Sequence, residues 1–179
     1  MKATALTEWI ARADAADYAL CRRLNRGAAF ALPRRIFQLA SRLGDGILWY
    51  AVIPALPLLY GRTAVRPAVV MALTGIAGLA LYKLLKHTLV RERPFLRHSN
   101  IDLAGAPLDR YSFPSGHTLH AVCFTVQITA HFPALGWVLI PLAVLIAGSR
   151  PVLGLHYPTD VLAGALLGLA LGTLGVAVS

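Results

Sequence analysis

The sequence predicts an all-α protein built as a multi-pass membrane helical bundle. Hydrophobic residues make up 57% of the 179-residue chain, whereas charged residues make up only 14%. A soluble globular domain carries charge at roughly a quarter of its positions, so this composition favours the bilayer. Several apolar runs also approach the ~20 residues that a helix needs to cross a membrane. The length suits one compact unit.

The N-terminal segment, residues 1–35, is predicted to precede a single membrane domain at 36–179. Residues 5–26 carry apolar side chains at helical spacing, with arginines on the polar face. Such an amphipathic helix lies in the membrane interface, its arginines near lipid phosphates; a helix packed on the end of the bundle is the alternative. The apolar positions are Leu6, Trp9, Ile10, Ala13, Ala16, Leu20 and Leu24.

About five transmembrane helices are predicted in the remainder. On the fifth of them, Gly164, Gly168 and Gly172 recur every fourth residue, which lets a neighbouring helix approach closely. The segment 95–113 has no clear periodicity, and long loops of this kind are often functional. The predicted spans are 36–60, 68–86, 115–132, 134–149 and 159–178.

Three polar clusters fall at the same end of these helices, because successive spans alternate in direction. The first cluster is Lys86-x6-Arg93-Pro94. Lys86 and Arg93 are nearly two helical turns apart and would share a helix face, while Pro94 ends the helix. Two cations on one face can bind an oxyanion. The alternative is a basic flank whose side chains reach lipid headgroups.

The second cluster, Pro114-Ser115-Gly116-His117, opens the third span. A helix N-terminus presents free backbone N–H groups to an anion, and Gly116 lets that anion approach closely. The Ser115 hydroxyl adds a donor. His117 can transfer a proton near neutral pH. An ordinary helix cap beside an unrelated histidine is the alternative.

The third cluster runs from Ser149 to Asp160. Arg150 directly follows an apolar helix, so it needs an anionic partner or water. His156 and Asp160 are four residues apart. If a helix has begun there, Asp160 can accept a hydrogen bond from one imidazole nitrogen and leave the other free to attack. The alternative is that Asp160 simply caps the helix that follows Pro158.

The joint pattern of cations, helix N-terminus and histidines fits a phosphoryl group, because preorganised positive charge stabilises that group during transfer. The His and carboxylate spacings match no metal site, so we expect neither a metal nor another cofactor. The net charge of +9 suits an anionic lipid surface and a phosphorylated substrate. Nucleic acid is not an expected partner, because the basic residues lie between long apolar runs.

With these three motifs the chain resembles the type 2 phosphatidic acid phosphatase (PAP2) superfamily. Its signature is Lys-x6-Arg-Pro, then Pro-Ser-Gly-His, then Ser-Arg-x5-His-x3-Asp, and every spacing is intact here. The resemblance implies a metal-free lipid phosphatase in which His156 attacks phosphorus, Asp160 orients it and His117 protonates the leaving oxygen. It further implies that the phosphoryl oxygens contact Lys86, Arg93, Ser115, Gly116 and Arg150.

Members of this superfamily act on phosphatidate, phosphatidylglycerol phosphate, lipid A phosphates and polyprenyl diphosphates such as undecaprenyl pyrophosphate. The motifs do not choose among these lipids. Three alternatives stay open: a lipid phosphotransferase, a haloperoxidase with a similar oxyanion pocket, and a non-catalytic transport or binding protein. The haloperoxidases are larger and soluble, and a transporter would not need His156 and Asp160.

The small size resembles that of bacterial inner-membrane members, many of which have a periplasmic active site. The positive-inside rule predicts the opposite, because the basic residues before the first span share the catalytic side of the membrane. The oligomeric state stays open. Those residues are Lys2, Arg12, Arg22, Arg23, Arg26, Arg34 and Arg35, against Arg62 and Arg66 on the other side.

Overall fold

The computed structural model describes residues 2–179, with side chains described from Thr7 onward. The side chains of Lys2 and Leu6, which entered the charge count and the amphipathic pattern, lie outside the described part. Short 3-10 turns occur at Arg26–Ala29, Gly61–Ala64 and Pro133–Leu135. The α-helices of the described chain are α1 (Lys2–Asn25), α2 (Ala31–Leu43), α3 (Ile47–Tyr60), α4 (Val65–Thr88), α5 (Pro94–Arg97), α6 (Gly116–His131), α7 (Gly136–Val152) and α8 (Pro158–Val178).

Within the described residues, three helical segments are long and apolar enough to cross a membrane: Ile47–Thr88, which contains α3 and α4, Pro133–Val152 and Pro158–Val178. Large apolar side chains cover their outer surfaces, and Leu58 and Trp137 are 84% and 86% exposed. Soluble monomers rarely expose such broad apolar surfaces, whereas lipid tails solvate them. The predicted all-helical membrane bundle is confirmed.

The prediction of one continuous helix over 36–60 is wrong. The chain breaks between α2 and α3 at residues 44–46. Gly46 has a φ of 107°, a backbone region that glycine adopts without steric cost. A side chain at Gly44 would lie only 2.8 Å from Ile146 and 2.9 Å from His117. The break therefore brings Asp45 close to the start of α6. The predicted segment boundary at residue 35 falls inside α2.

Helix α6 lies at the centre of the bundle and packs against α4, α7 and α8. The three α8 glycines face its backbone, because a Cβ at Gly164, Gly168 or Gly172 would meet a carbonyl oxygen of α6 or its cap. This confirms the predicted close helix approach. The main core between α3, α4, α6 and α7 includes Trp49, Leu56, Met71, Phe124, Ile128 and Ile146.

Helix α1 packs on the motif end of the bundle through buried polar side chains and through Cys21 and Tyr18, which join a small apolar cluster with Ile101 and Tyr157. Asp17 and Asn25 are buried, whereas Trp9 and Ile10 are exposed. The Asn25 amide nitrogen donates to the Val152 carbonyl at 2.9 Å, and its oxygen accepts from Asp102 N at 2.8 Å. The apolar side of α1 consequently points away from the protein.

The predicted loop begins with the short helix α5 and continues irregularly to Ser115. An isolated β-bridge pairs Glu92 with Tyr111. Ser112 N donates to the Arg91 carbonyl at 2.8 Å, and the Gln38 amide donates to the Ala104 carbonyl at 2.7 Å. These contacts fix the loop over the motif end of the bundle.

Candidate active site

The first motif does not form the continuous helix expected from its spacing. Helix α4 ends at Thr88, and Arg93 is extended because the residue before a proline avoids helical dihedrals. The shared helix face predicted for Lys86 and Arg93 is therefore wrong. The turned chain brings both cations to Asp109 instead: Lys86 Nζ lies 2.7 Å from each carboxylate oxygen, and Arg93 Nη2 lies 2.8 Å from Oδ1.

The second motif opens α6, with Ser115 as its N-cap. Ser115 Oγ lies 2.9 Å from the Thr118 hydroxyl, so this side chain is engaged within the helix start. Ser115 N donates to the Asp160 carbonyl at 3.0 Å, which joins the second motif to the third. At Gly116 a methyl group would reach only the Tyr82 ring, at 3.6 Å, so the backbone there is open.

His117 has a carboxylate partner that the motifs do not include. Its Nε2 lies 2.6 Å from Asp45 Oδ1. The hydrogen bond with His117, helped by the nearby Arg150 charge, outweighs burial and lowers the pKa of Asp45. Asp45 is thus a carboxylate at neutral pH and can orient the imidazole. One signal in the sequence could have indicated this residue, namely the Gly-Asp-Gly interruption of an apolar run at 44–46.

The third motif spans the end of α7 and the loop before α8. Leu155 N and His156 N both donate to the Arg150 carbonyl, at 3.0 and 3.3 Å, so this loop is anchored on α7. Arg150 Nη1 donates to the Ser41 hydroxyl. Its buried Nε has no hydrogen-bond partner among the described residues. An unpaired buried guanidinium N–H is a donor available to an anion.

His156 lies in the loop, and its two nitrogens have different surroundings. Nε2 lies 3.2 Å from Arg93 Nη1. Nδ1 lies 3.8 Å from Asp160 Oδ2, which is too long for a hydrogen bond, so the predicted hydrogen bond between them is not formed. Burial and the charges of Arg150 and Arg93 hold the pKa of His156 well below its ordinary value. A neutral imidazole with its proton on Nδ1 has a lone pair on Nε2; in this structure that lone pair accepts from the Arg93 guanidinium, and it must be released before it can attack.

Asp160 is fully buried and uses both oxygens. Its Oδ2 accepts from Tyr157 N at 2.8 Å, in a capping box at the start of α8. Its Oδ1 accepts from Arg91 Nη1 at 2.6 Å. The capping role expected as the alternative is therefore present, and it places the carboxylate beside His156.

These residues surround a cavity of about 390 Å³. Ser115 and Asp160 are buried behind its wall and do not line it. The polar end is lined by Asp45, Lys86, Arg93, Asp109, Gly116, His117, Arg150 and His156. The apolar end, between α3 and α4 with α6 behind, is lined by Trp49, Ile53, Pro54, Ala72, Ile76, Leu79 and Phe124.

The described residues form a helical membrane bundle with a cavity that joins a cationic end to an apolar cleft. The family model described as the PAP2 superfamily matches residues 63–179, more than half of the chain. The chain belongs to the PAP2 superfamily, as its motifs predicted. In the described part of the chain, no group of three or more His, Cys, Asp and Glu side chains could hold a metal ion.

Proteins of known activity are similar to this chain in sequence. The chain is 35% identical over 129 residues to undecaprenyl-diphosphatase BcrC of Bacillus subtilis, covering 72% of this chain and 66% of that protein. It spans just under two thirds of the length of the curated relatives that it first matches, 66% in each case.

Two solved structures share the fold. LpxE from Aquifex aeolicus superposes with a TM-score of 0.79 at 26% identity, covering 89% of this chain and 93% of that one. A transmembrane PAP2-type phosphatidylglycerolphosphate phosphatase from Bacillus subtilis gives 0.74 at 27% identity, covering 92% and 84%. The shared fold therefore extends beyond the region that the family model matches.

Proposed function

We propose that this chain is an integral-membrane lipid phosphatase that hydrolyses a phosphomonoester or diphosphate on a lipid. The observation that carries the proposal is the cavity, whose cationic end continues into an apolar cleft. A phosphorylated lipid has the same two parts, a dianionic head and an apolar tail. Membership of the PAP2 superfamily and the phosphatase names of the relatives support the same activity.

In the proposed reaction, His156 Nε2 attacks phosphorus. A P–N bond forms while the P–O bond to the lipid alcohol, or to the inner phosphate of a lipid diphosphate, breaks. His117 in its imidazolium form, held by Asp45 through Nε2, gives a proton to the leaving oxygen. Water then attacks the phosphohistidine, His117 takes a proton from it, and phosphate leaves as the P–N bond breaks. The two histidines line one cavity, which supports these roles. Neither step needs a metal ion.

The phosphoryl oxygens are proposed to bind Lys86, Arg93 and Arg150, with backbone N–H groups near Gly116 completing the site. Preorganised cations in a site with little water stabilise the charge that develops during phosphoryl transfer. The three cationic side chains are buried, which supports such a preorganised arrangement. In this structure Ser115 Oγ is engaged by Thr118, so its role as a phosphate donor requires the hydroxyl to rotate.

The lipid tail is proposed to occupy the apolar cleft between α3 and α4. Ile76 and Leu79 line this cleft and are also 65% and 39% exposed, so the cleft is open to the bilayer side of the bundle. A tail in this cleft exchanges contacts with bilayer lipid for contacts with apolar side chains, so it needs no polar partner. We propose polyprenyl diphosphates and phosphatidylglycerol phosphate as candidate substrates, following the names of undecaprenyl-diphosphatase BcrC and phosphatidylglycerophosphatase B of Bacillus subtilis. Phosphatidate is added because the superfamily includes phosphatidate phosphatases.

The proposed topology has five crossing helices, α3, α4, α6, α7 and α8, in the cytoplasmic membrane of a bacterium. The exposed apolar side of α1 supports a position in the membrane interface.

A cysteine placed at Arg110, an exposed position on the motif end, reports which side of the membrane the active site faces. Labelling of Arg110→Cys in intact cells by an impermeant maleimide means a periplasmic site. Labelling of Thr63→Cys instead means a cytoplasmic one. Both native cysteines are buried.

Phosphate release by detergent-purified protein tests the activity. The panel holds undecaprenyl pyrophosphate, phosphatidate, phosphatidylglycerol phosphate and a soluble phosphate ester, each with chelator. Release from a lipid that is lost in His156→Ala supports the proposal, and near-normal release from that variant refutes the mechanism. Activity that chelator removes and a metal restores would overturn the metal-free reaction. Transfer that occurs only when a lipid acceptor is supplied would indicate a phosphotransferase.

A further inference from the structure

Arg91 lies inside the first motif but is not one of its fixed positions. Its guanidinium group bridges two buried carboxylates: Nη1 lies 2.6 Å from Asp160 Oδ1, and Nη2 lies 2.8 Å from Asp17 Oδ2. The side chains of Asp160 and Asp17 are 0% and 3% exposed. The guanidinium carbon also lies 4.0 Å from the centre of the Tyr157 ring. Arg91 is therefore held on three sides.

We propose that Arg91 is a positioning residue for the reaction at His156, and that Asp17 of α1 holds Arg91 in place. The inference rests on the proposed phosphatase function and adds two residues to its machinery. Arg91 does not line the cavity, so it acts on the reaction through Asp160.

The first step of the argument concerns the Asp160 carboxylate. Its Oδ2 accepts from Tyr157 N and is the oxygen that lies 3.8 Å from His156 Nδ1. The hydrogen bond from Arg91 to Oδ1 fixes the rotation of the carboxylate, so it also fixes where Oδ2 lies. A buried carboxylate without a cation is costly, and this one would then turn, take up a proton or draw in water. Each of these changes would move or neutralise the negative charge that faces His156 Nδ1 at 3.8 Å.

The second step concerns the other end of Arg91. Asp17 Oδ1 accepts from Thr159 N at 3.0 Å, and Asp17 Oδ2 accepts from the Thr159 hydroxyl. Thr159 directly precedes Asp160, and Arg91 Nη1 donates to the Thr159 hydroxyl at 2.8 Å as well, so α1 and Arg91 hold the start of α8 together. Asp14 adds a weaker contact to Arg91 at 3.3 Å and is itself 43% exposed.

The third step concerns the backbone of Arg91. Its carbonyl accepts from Ser112 N at 2.8 Å and from the Ser112 hydroxyl at 3.3 Å. Because Ser112 is fully buried, these bonds fix an otherwise extended segment. Together with the contacts of Asp17, these bonds hold Arg91 in place. The N-terminal helix, which carries none of the motifs, therefore helps to support the proposed nucleophile.

A double-mutant cycle with Asp160 tests the inference on the full-length protein, with a 32P-labelled lipid that the wild type hydrolyses. Arg91→Met should lower kcat by about 10- to 100-fold, the effect expected of a small misplacement of a reacting group. KM should change by less than about twofold, because the phosphate ligands stay in place. In the Asp160→Asn background, Arg91→Met should lower kcat by less than about twofold, since its target is already removed.

Two further variants guard against a merely structural effect. Arg91→Lys keeps the charge but has one nitrogen, which cannot reach both carboxylates with the same geometry, so its kcat should be intermediate. Arg97→Gln is the matched control, because Arg97 also pairs with Asp14 of α1 at 3.2 Å and is 50% exposed. We expect wild-type kinetics from it. If Arg91→Met does not purify as a monodisperse protein, the cycle is run with Arg91→Lys.

Equal losses of kcat in the wild-type and Asp160→Asn backgrounds would overturn the inference, because Arg91 would then act independently of Asp160. An unchanged kcat in Arg91→Met, or a change confined to KM, would overturn it as well. Failure of the proposed function is detected separately, by comparing the wild type with His156→Ala before any Arg91 variant is measured. If His156→Ala hydrolyses the lipid as fast as the wild type, the proposed mechanism itself is wrong.

Discussion

Asp109 accepts a hydrogen bond from Lys86 Nζ at 2.7 Å through each of its carboxylate oxygens. The same carboxylate accepts from Arg93, so two of the proposed phosphate ligands face an anion supplied by the protein itself. Burial raises the pKa of Asp109, but the hydrogen bonds from Lys86 and Arg93 outweigh it and hold the pKa below its ordinary value. Asp109 therefore occupies the cationic end of the cavity as a carboxylate.

A phosphorylated substrate must displace this carboxylate, so Asp109→Asn should bind substrate and the phosphate analogue vanadate more tightly. We expect KM and the vanadate inhibition constant to fall by up to about tenfold, equivalent to about 1.4 kcal/mol. A group with a lowered pKa stays ionised down to below the ordinary Asp value of about 3.9. The ratio of wild-type to variant KM should therefore be constant from about pH 5 to 8.

The control for this prediction is Glu92→Gln, in the segment between α4 and α5. Glu92 forms a long contact of 3.7 Å with Arg110, and both side chains are at least half exposed. Removal of such an exposed pair should leave KM unchanged. A KM that rises in Asp109→Asn would contradict the prediction, because it would mean that Asp109 arranges the two cations rather than competing for them.

Asp45→Asn tests the proposed role of His117 as proton donor to the leaving oxygen. Loss of the 2.6 Å contact removes the carboxylate that orients the imidazole. We expect kcat for a lipid substrate to fall by about 100-fold, at the lower end of what general acid–base catalysis contributes. p-Nitrophenyl phosphate needs little protonation of its leaving group and should lose much less.

The losses of kcat on the lipid and on p-nitrophenyl phosphate together show whether Asp45 acts through proton transfer. Equal losses on both would indicate a general disturbance of the cavity. In a His117→Ala background, Asp45→Asn should have almost no further effect, since the two residues would act as one unit.

The sequence predicts the placement of the motif residues well, and the reason is topological. Each cluster adjoins the end of an apolar helix, and alternating helices bring such ends together. The capping of α6 by Ser115 also follows from local chemistry. The spacing of Lys86 and Arg93 nevertheless led to a wrong prediction, because it implied one continuous helix. Pro94 forces Arg93 into an extended conformation, and a turn in the chain brings the two cations together.

The residues that contact the motif side chains could not be predicted from the sequence. Asp45, Asp109 and Arg91 lie in breaks or loops, where no periodic pattern indicates which way a side chain points. The packing face of α1 was also missed. In water an amphipathic helix buries its apolar side, but in a bilayer the apolar side is satisfied by lipid, so polar Asp17 and Asn25 can face the protein instead.

Ala72→Phe tests the proposed position of the lipid tail. Ala72 lines the apolar end of the cavity, and a phenyl ring there would narrow the cleft between α3 and α4. We expect turnover of long-chain lipids to fall by at least about tenfold through KM, because uniform binding is lost. Hydrolysis of a soluble phosphate ester should stay near the wild-type rate.

Leu73→Phe is the matched control for the tail site. Leu73 is 60% exposed and lies outside the set of lining residues, so the same ring should have no effect there. Equal loss of lipid and soluble-ester turnover in Ala72→Phe would contradict a tail site in this cleft, since it would show damage to the cationic end.

Gly168→Ala should destabilise the bundle, because a methyl group at this position would collide with the carbonyl oxygen of Leu119 in α6. Backbone cannot move aside as a side chain does, and overpacking of this kind costs about 1–3 kcal/mol. Gly148→Ala in α7 is the matched control: its methyl would meet only Phe37, at an ordinary 3.6 Å. There the higher helix propensity of alanine should keep or raise stability. Thermal melting of the two purified proteins in the same detergent measures the difference. A lower Tm for Gly168→Ala alone supports close packing of α8 on α6, whereas equal Tm values would mean that the two helices can separate without cost.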